Sequence, residues 1–157
     1  MIDPDSFRAV LGRFASGVTV ITALDDEGHD QGMTVSAFCS LSLDPPLVLF
    51  CVDDAASMYG SFEKSAGFIV NILSESQEPL ARRFSGPDPN RFDGIGYVRG
   101  INGIAILDDV LGYLECTRVG AQPGGDHRIH IGEVQVAQCT EGRPLLYYRG
   151  GYAQLER

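Results

Sequence analysis

The sequence predicts a mainly β protein whose strands form an antiparallel or mixed sheet closed into a barrel, with short accessory helices. Three observations lead there. Six or seven apolar or β-branched runs are bounded by turn-forming residues. They follow one another without a regular strand–helix–strand alternation. Helical spacing occurs in about three segments, all short.

The elements follow in order. Asp3 before Pro4 offers an N-cap carboxylate and a proline at the first helical position. Phe7, Val10, Leu11 and Phe14 continue at helical spacing, and Gly17 is the expected stop. Residues 18–24 (VTVITAL) are β-branched and read as a strand, followed by the turn signal DDEG. Residues 32–43 (GMTVSAFCSLSL) read as one strand region, broken by Asp44-Pro45-Pro46. Residues 47–52 (LVLFCV) are continuously apolar, the pattern of a strand buried on both faces.

A short helix is expected in DDAASMYGSFEKS, then a strand over residues 68–73. Ser74 and Gln77 have capping-box spacing and open a helix through Leu80 and Phe84. Residues 85–94 are a loop of turn formers. Two long strands, 110–120 and 128–139, flank the glycine-rich QPGGDH. A strand, a Gly-Gly break and a final apolar run close the chain. There is no internal repeat or linker, so the expectation is one domain over residues 1–157.

Composition narrows the function. The net charge of −9 disfavours nucleic acid as a partner. No apolar run approaches the ~18 residues of a membrane span, and the acidic N-terminus lacks the features of a secretory signal. A cytoplasmic protein is expected. Lys64 is the only lysine beside eleven arginines, so anion recognition would fall to arginine, hydroxyls and backbone N–H groups. Cys39, Cys51, Cys116 and Cys139 form no C-x-x-C motif and read as buried, reduced thiols.

Rossmann, Walker, G-x-S-x-G and H-E-x-x-H motifs are missing. His127 and His130 lie three apart in a strand, hence on opposite faces, which argues against a shared metal. His127 follows Gly124-Gly125-Asp126 at a strand mouth, as either a surface turn residue or a ligand-facing group. Alternation places Ser36, Ser40 and Ser42 on one face with Thr34 near the strand start; they read as a half-exposed strand or as a row of hydroxyls along a planar polar ligand. Met33 and Phe38 would add apolar contact. Arg82, Arg83 and Arg91 read as solvated side chains or as a phosphate clamp.

In combination these pieces are more specific. FRAVLGRFASGVTVIT, GMTVSAFCSLSLDPPLVLFCV, FIVNIL, RFDG, LECTR, GGDHRIHIGEV and PLLYYRGGY occur in one order over about residues 5–155. The set resembles the flavin reductase-like family, similar to reductase components of two-component flavin-dependent monooxygenases. The resemblance implies a closed six-stranded antiparallel barrel, the FMN-binding split barrel, in a homodimer. It also implies an NAD(P)H-dependent reductase that passes a hydride from nicotinamide to FMN or FAD and supplies reduced flavin to a partner monooxygenase.

By the same resemblance, Thr34, Val35, Ser36 and Ala37 would contact the isoalloxazine and ribityl chain. Ser40 and Cys51 would line that pocket, and Ser57 would approach the flavin phosphate. Phe84, Arg91 and Phe92 would cover the ligand, and Tyr152 would lie near the flavin ring. His127 would face nicotinamide, as a positioning group. The family often has a threonine two residues after the phosphate serine; Tyr59 stands there in this chain. Two other readings stay open: a flavin-binding electron carrier without nicotinamide turnover, and a vitamin B6 phosphate oxidase, which the scarcity of basic residues disfavours.

Overall fold

The computed structural model describes residues 1–56 and 58–156. A short helix α1 (Pro4–Leu11) is capped by Asp3, whose carboxylate accepts the Ser6 N–H at 2.9 Å. It ends at Gly12, earlier than the Gly17 stop expected, and Gly17 lies in a short strand β1 (Ser16–Gly17). There follow β2 (Thr19–Leu24), β3 (Asp30–Val35), β4 (Phe38–Ser42) and β5 (Leu47–Asp53). Helix α2 (Tyr59–Lys64) precedes β6 (Gly67–Ile72). A 3-10 turn (Glu75–Gln77) leads into α3 (Glu78–Ser85). The rest is strand: β7 (Tyr97–Arg99), β8 (Ala105–Leu107), β9 (Gly112–Gly124), β10 (His127–Cys139), β11 (Leu145–Tyr148) and β12 (Gly151–Gln154).

The main sheet has seven strands in the order β3-β2-β6-β9-β10-β5-β4, and each neighbouring pair is antiparallel. That is one strand more than the six-stranded barrel that the resemblance implies. Among the described residues no ladder joins the edge strands β3 and β4, so the sheet is not closed by hydrogen bonds. It nonetheless curves around one core. Val35 of β3, Phe50 of β5, Phe68 of β6 and Cys116 of β9 share a buried cluster, with Phe38 of β4 packed against it. Burying that shared apolar face bends the sheet.

The region 32–43 is two strands, parted at Ser36–Ala37. Thr19 holds the end of the first by donating its hydroxyl to the Val35 carbonyl at 2.6 Å. Strand β5 alternates buried and half-buried residues, so only one of its faces is fully buried within the chain. Its unbroken apolar run had suggested two buried faces.

Two smaller sheets complete the fold, β1-β11-β12 and β7-β8. A second core under α3 joins Val18, Leu73, Phe84, Leu107 and Leu145. The capping box holds as expected: the Ser74 N–H donates to Gln77 Oε1 at 2.9 Å. Asn71 ties three strands together at zero exposure. Its amide donates to the Val20 carbonyl at 3.0 Å and Thr22 Oγ1 at 3.1 Å, and its oxygen accepts the Leu107 N–H at 2.9 Å. Cys116 is buried as expected, whereas Cys51 is half-buried and Cys39 and Cys139 are exposed; all are free thiols.

Candidate active site

The break at Ser36–Ala37 leaves both residues exposed between two strands. Beside it runs an open groove of about 360 Å³, lined by Val18, Thr34, Ser36, Arg82, Ser85, Tyr147, Gly150 and Tyr152. Its wall is the β11–β12 hairpin, where Tyr147 and Tyr152 are cross-strand partners in edge contact at 5.5 Å. The Arg82 guanidinium lies 5.0 Å from the Tyr152 ring centre and pairs with Glu78 at 2.7 Å. Hydroxyls, one guanidinium and two tyrosine rings thus face one space. Tyr147 and Ser85 went unnoticed in the sequence; the pairing of Tyr147 with Tyr152 follows from the hairpin register alone.

A second cleft, of about 250 Å³, opens beyond α3 and is bordered by Asp30, Gly32, Met58, Asp88, Arg91 and Phe92, among others. Gly32 lets two rings pack close beside it: a Cβ there would meet the Phe84 ring at 2.7 Å and the Phe92 ring at 3.2 Å. Phe84 is fully buried and edge-on to Phe92 at 5.1 Å. It supports the cleft from behind and offers no surface of its own.

The three arginines separate by role. Arg83 donates to the carbonyls of Asn90, Arg91 and Asp93, which folds the 90–93 loop. Arg91 donates to the carbonyls of Gly32 and Gly86 and to Met58 Sδ, and burial pulls its pKa down. A clamp of all three is therefore not what the fold builds. Arg82 alone of the three lines the groove.

Thr34 is also committed, donating its hydroxyl to the Ala81 carbonyl at 2.7 Å and tying β3 to α3. Val35 is core. Ser40 pairs with Val48 and Ser42 with Leu47, across a register shift. Val48 and Leu47 face opposite sides of β5, so the serines do not share a face, and Ser40 lies on the other face from Cys51. Ser57 lies outside the described residues.

The histidines divide as alternation requires. His130 is buried, at 1% exposure, while the His127 side chain is 44% exposed at the β9–β10 hairpin. Gly125 turns that hairpin with a φ of 66°. His127 Nδ1 lies 2.8 Å from Asp126 Oδ1, and this contact holds the Asp126 carboxyl below its ordinary pKa. The Asp126 carbonyl accepts the Asp54 N–H at 2.9 Å, which fixes the turn against β5. His127 stands opposite Asp53, and Cys51 opposite Ile129, so Cys51 and His127 are diagonal neighbours on one sheet face.

The structure thus brings Thr34, Ser36 and Tyr152 into one groove and Arg91 and Phe92 into a second cleft. Cys51 and His127 lie together on the sheet between β5 and β10.

A curled antiparallel sheet carrying a groove of hydroxyls, aromatic rings and one guanidinium defines a β protein suited to a flat, anionic ligand. The chain belongs to the flavin reductase-like family: the model of the flavin reductase like domain matches residues 11–156. The reductase subunit of a flavin-dependent monooxygenase from Rhodococcus jostii (strain RHA1) is 42% identical over 156 residues, covering 99% of this chain and 80% of that protein. A flavin reductase from Pseudomonas putida is 41% identical over 152 residues, covering 96% of this chain and 89% of that protein. Among solved structures, an NADH:FAD oxidoreductase from Streptomyces globisporus C-1027, in complex with NAD and FAD fragments, aligns with a TM-score of 0.92. It is 34% identical and is covered over 99% of this chain and 96% of its own.

Proposed function

We propose that this chain is an NAD(P)H-dependent flavin reductase that supplies reduced FMN or FAD to a partner monooxygenase. Family membership over residues 11–156 is the observation that carries the reading. Relatives named as a reductase subunit and as an NADH:FAD oxidoreductase support it. The chain acts as one domain, residues 1–157, in a cytoplasmic homodimer whose mass light scattering would report. No helix among the described residues is long and apolar enough to cross a membrane. The curled sheet, with strands from both of its edges packed on one core, supports the split-barrel fold of the family.

The residues fit a flavin. The groove at Ser36 offers hydroxyls and the Arg82 cation for a polar, phosphate-bearing tail, and the Tyr152 ring offers a flat apolar surface. When bound together, flavin and nicotinamide supply the redox chemistry by direct hydride transfer. The chain supplies alignment. Ser36 and Ala37, exposed at the strand break, present backbone to a planar ring. Arg82 attracts the phosphate, and Phe92, held by Phe84 and Gly32, limits the second cleft. Asp126 orients His127 through Nδ1, leaving Nε2 to hydrogen-bond the nicotinamide amide.

The test is NADH or NADPH oxidation followed at the nicotinamide absorbance, with FMN and with FAD. Turnover in any of the four combinations supports the reductase. No oxidation in all four, with flavin still bound, would establish the electron carrier instead.

A further inference from the structure

Strand β4 pairs with β5 so that Cys39 stands opposite Leu49 and Phe38 opposite Phe50. The Cys51 N–H donates to the Ala37 carbonyl at 3.0 Å, which carries the ladder one step further. Cys39 and Cys51 are therefore diagonal neighbours on the same sheet face, with Cα atoms about 7–8 Å apart in such a register. Cys39 is exposed and Cys51 half-buried.

We propose that Cys39 and Cys51 form an oxidisable dithiol that takes hydrogen peroxide as its oxidant and closes reversibly to a disulfide.

The chemistry needs no other reagent. The exposed Cys39 sulfur attacks one peroxide oxygen; an S–O bond forms, the O–O bond breaks and hydroxide leaves. The Cys51 sulfur then displaces hydroxide from the Cys39 sulfenic acid; an S–S bond forms and the S–O bond breaks. The two thiols lose two protons and two electrons, and peroxide becomes two waters. The order of attack follows from the surroundings. Burial, and secondarily the neighbouring Cys39, pushes the Cys51 thiol up, so the exposed partner meets peroxide first.

A disulfide requires Cα atoms nearer than about 7 Å, so β4 must shift toward Cys51. β4 is a five-residue edge strand, it follows the Ser36–Ala37 break, and its register already slips between Ser40 and Ser42. A bond that pulls the strand out of place is readily reduced, as a reversible device requires. The same shift moves Ser36 and Ala37. On the reading that these residues hold flavin, oxidation weakens flavin binding.

The experiment treats the intact protein with hydrogen peroxide in the presence and absence of dithiothreitol. Free thiols counted under denaturing conditions should fall from four to two. Peptide mapping should join the Cys39 and Cys51 peptides within one chain, and dithiothreitol should separate them. Cys139→Ser should keep the cross-link, while Cys39→Ser and Cys51→Ser should each abolish it. Oxygen addition at Cys39 without a link to Cys51, or a link through Cys139, overturns the proposal. Oxidation should also raise the flavin Kd about 5-fold or more. An intact Cys39–Cys51 link with an unchanged Kd would overturn only the coupling to flavin.

Discussion

His130 lies face to face with Phe50, its ladder partner, with ring centres 5.0 Å apart and planes within 11°. The imidazole is buried, and its pKa is pushed down to about 4, first by burial and then by Arg118; Arg128 acts in the same direction and Glu63 opposes both. Between about pH 6.5 and 4 the unfolded chain binds a proton here that the folded chain refuses. Stability from this residue is therefore full above pH 6.5 and declines as pH falls toward 4, by about 3 kcal/mol in all. Urea unfolding at pH 7, 5.5 and 4.5 should show the decline. His130→Leu should flatten it over that window, and an unchanged slope in the variant would refute the assignment.

Asn71 makes a second buried demand. Truncation to alanine leaves the Leu107 N–H and the Val20 carbonyl without their partner in the core. The expected cost is about 2–3 kcal/mol, read as a lower urea midpoint with an unchanged slope. Reductase turnover per folded molecule should stay within about 2-fold of the parent, because Asn71 lines neither cleft.

The strand inventory was legible where local rules decide it. Asp3-Pro4 and Ser74…Gln77 mark their helices, and the opposite faces of His127 and His130 follow from a period of two. What stayed hidden depends on register. No local pattern shows that Ser40 and Ser42 straddle a shift, or that Ser36 stands in a break. Strands β7 and β8 are three residues each, joined by residues 100–104, and they are too short to show alternation. Arg83 and Arg91 read either as solvated side chains or as part of a phosphate clamp, because charge is visible in a sequence while the carbonyls that occupy it are not. Phe84 looked like a ligand cover, but its burial depends on Gly32 in a distant strand.

That contact makes Gly32→Ala informative. Its new Cβ would overlap the Phe84 ring and crowd Phe92, so the rings must shift. Overpacking of this kind costs about 1–3 kcal/mol. The displaced Phe92 borders the second cleft, so flavin or nicotinamide affinity should fall together with the melting temperature. Thermal unfolding with a parallel Kd measurement would check both, and an unchanged melting temperature would mean that the rings yield freely.

His127→Ala should raise KM for the nicotinamide substrate by about 5- to 10-fold while changing the flavin Kd by less than about 2-fold. Asp126→Asn keeps the size but weakens the hold on Nδ1, and should give a smaller change of the same kind. Steady-state kinetics with the nicotinamide varied at saturating flavin would measure both variants. An unchanged KM in His127→Ala would remove the residue from the site.

Arg82 and Arg83 are adjacent on α3, yet only substitution of Arg82 should alter the salt dependence of flavin binding. Arg82 lines the groove, largely exposed, and its charge is shared between Glu78 and the Tyr152 ring. A ligand phosphate entering the groove would compete with Glu78 for that guanidinium. Arg82→Gln should therefore weaken flavin binding by about 5- to 10-fold, and the loss should shrink as ionic strength rises, because salt already screens the attraction in the parent. Arg83 is held by the carbonyls of Asn90, Arg91 and Asp93. Arg83→Gln should loosen that loop and lower the melting temperature, with no change in the salt dependence of flavin binding. Flavin fluorescence titrations at low and high salt separate the two. Equal salt dependence in the parent and in Arg82→Gln would show that the phosphate is recognised elsewhere.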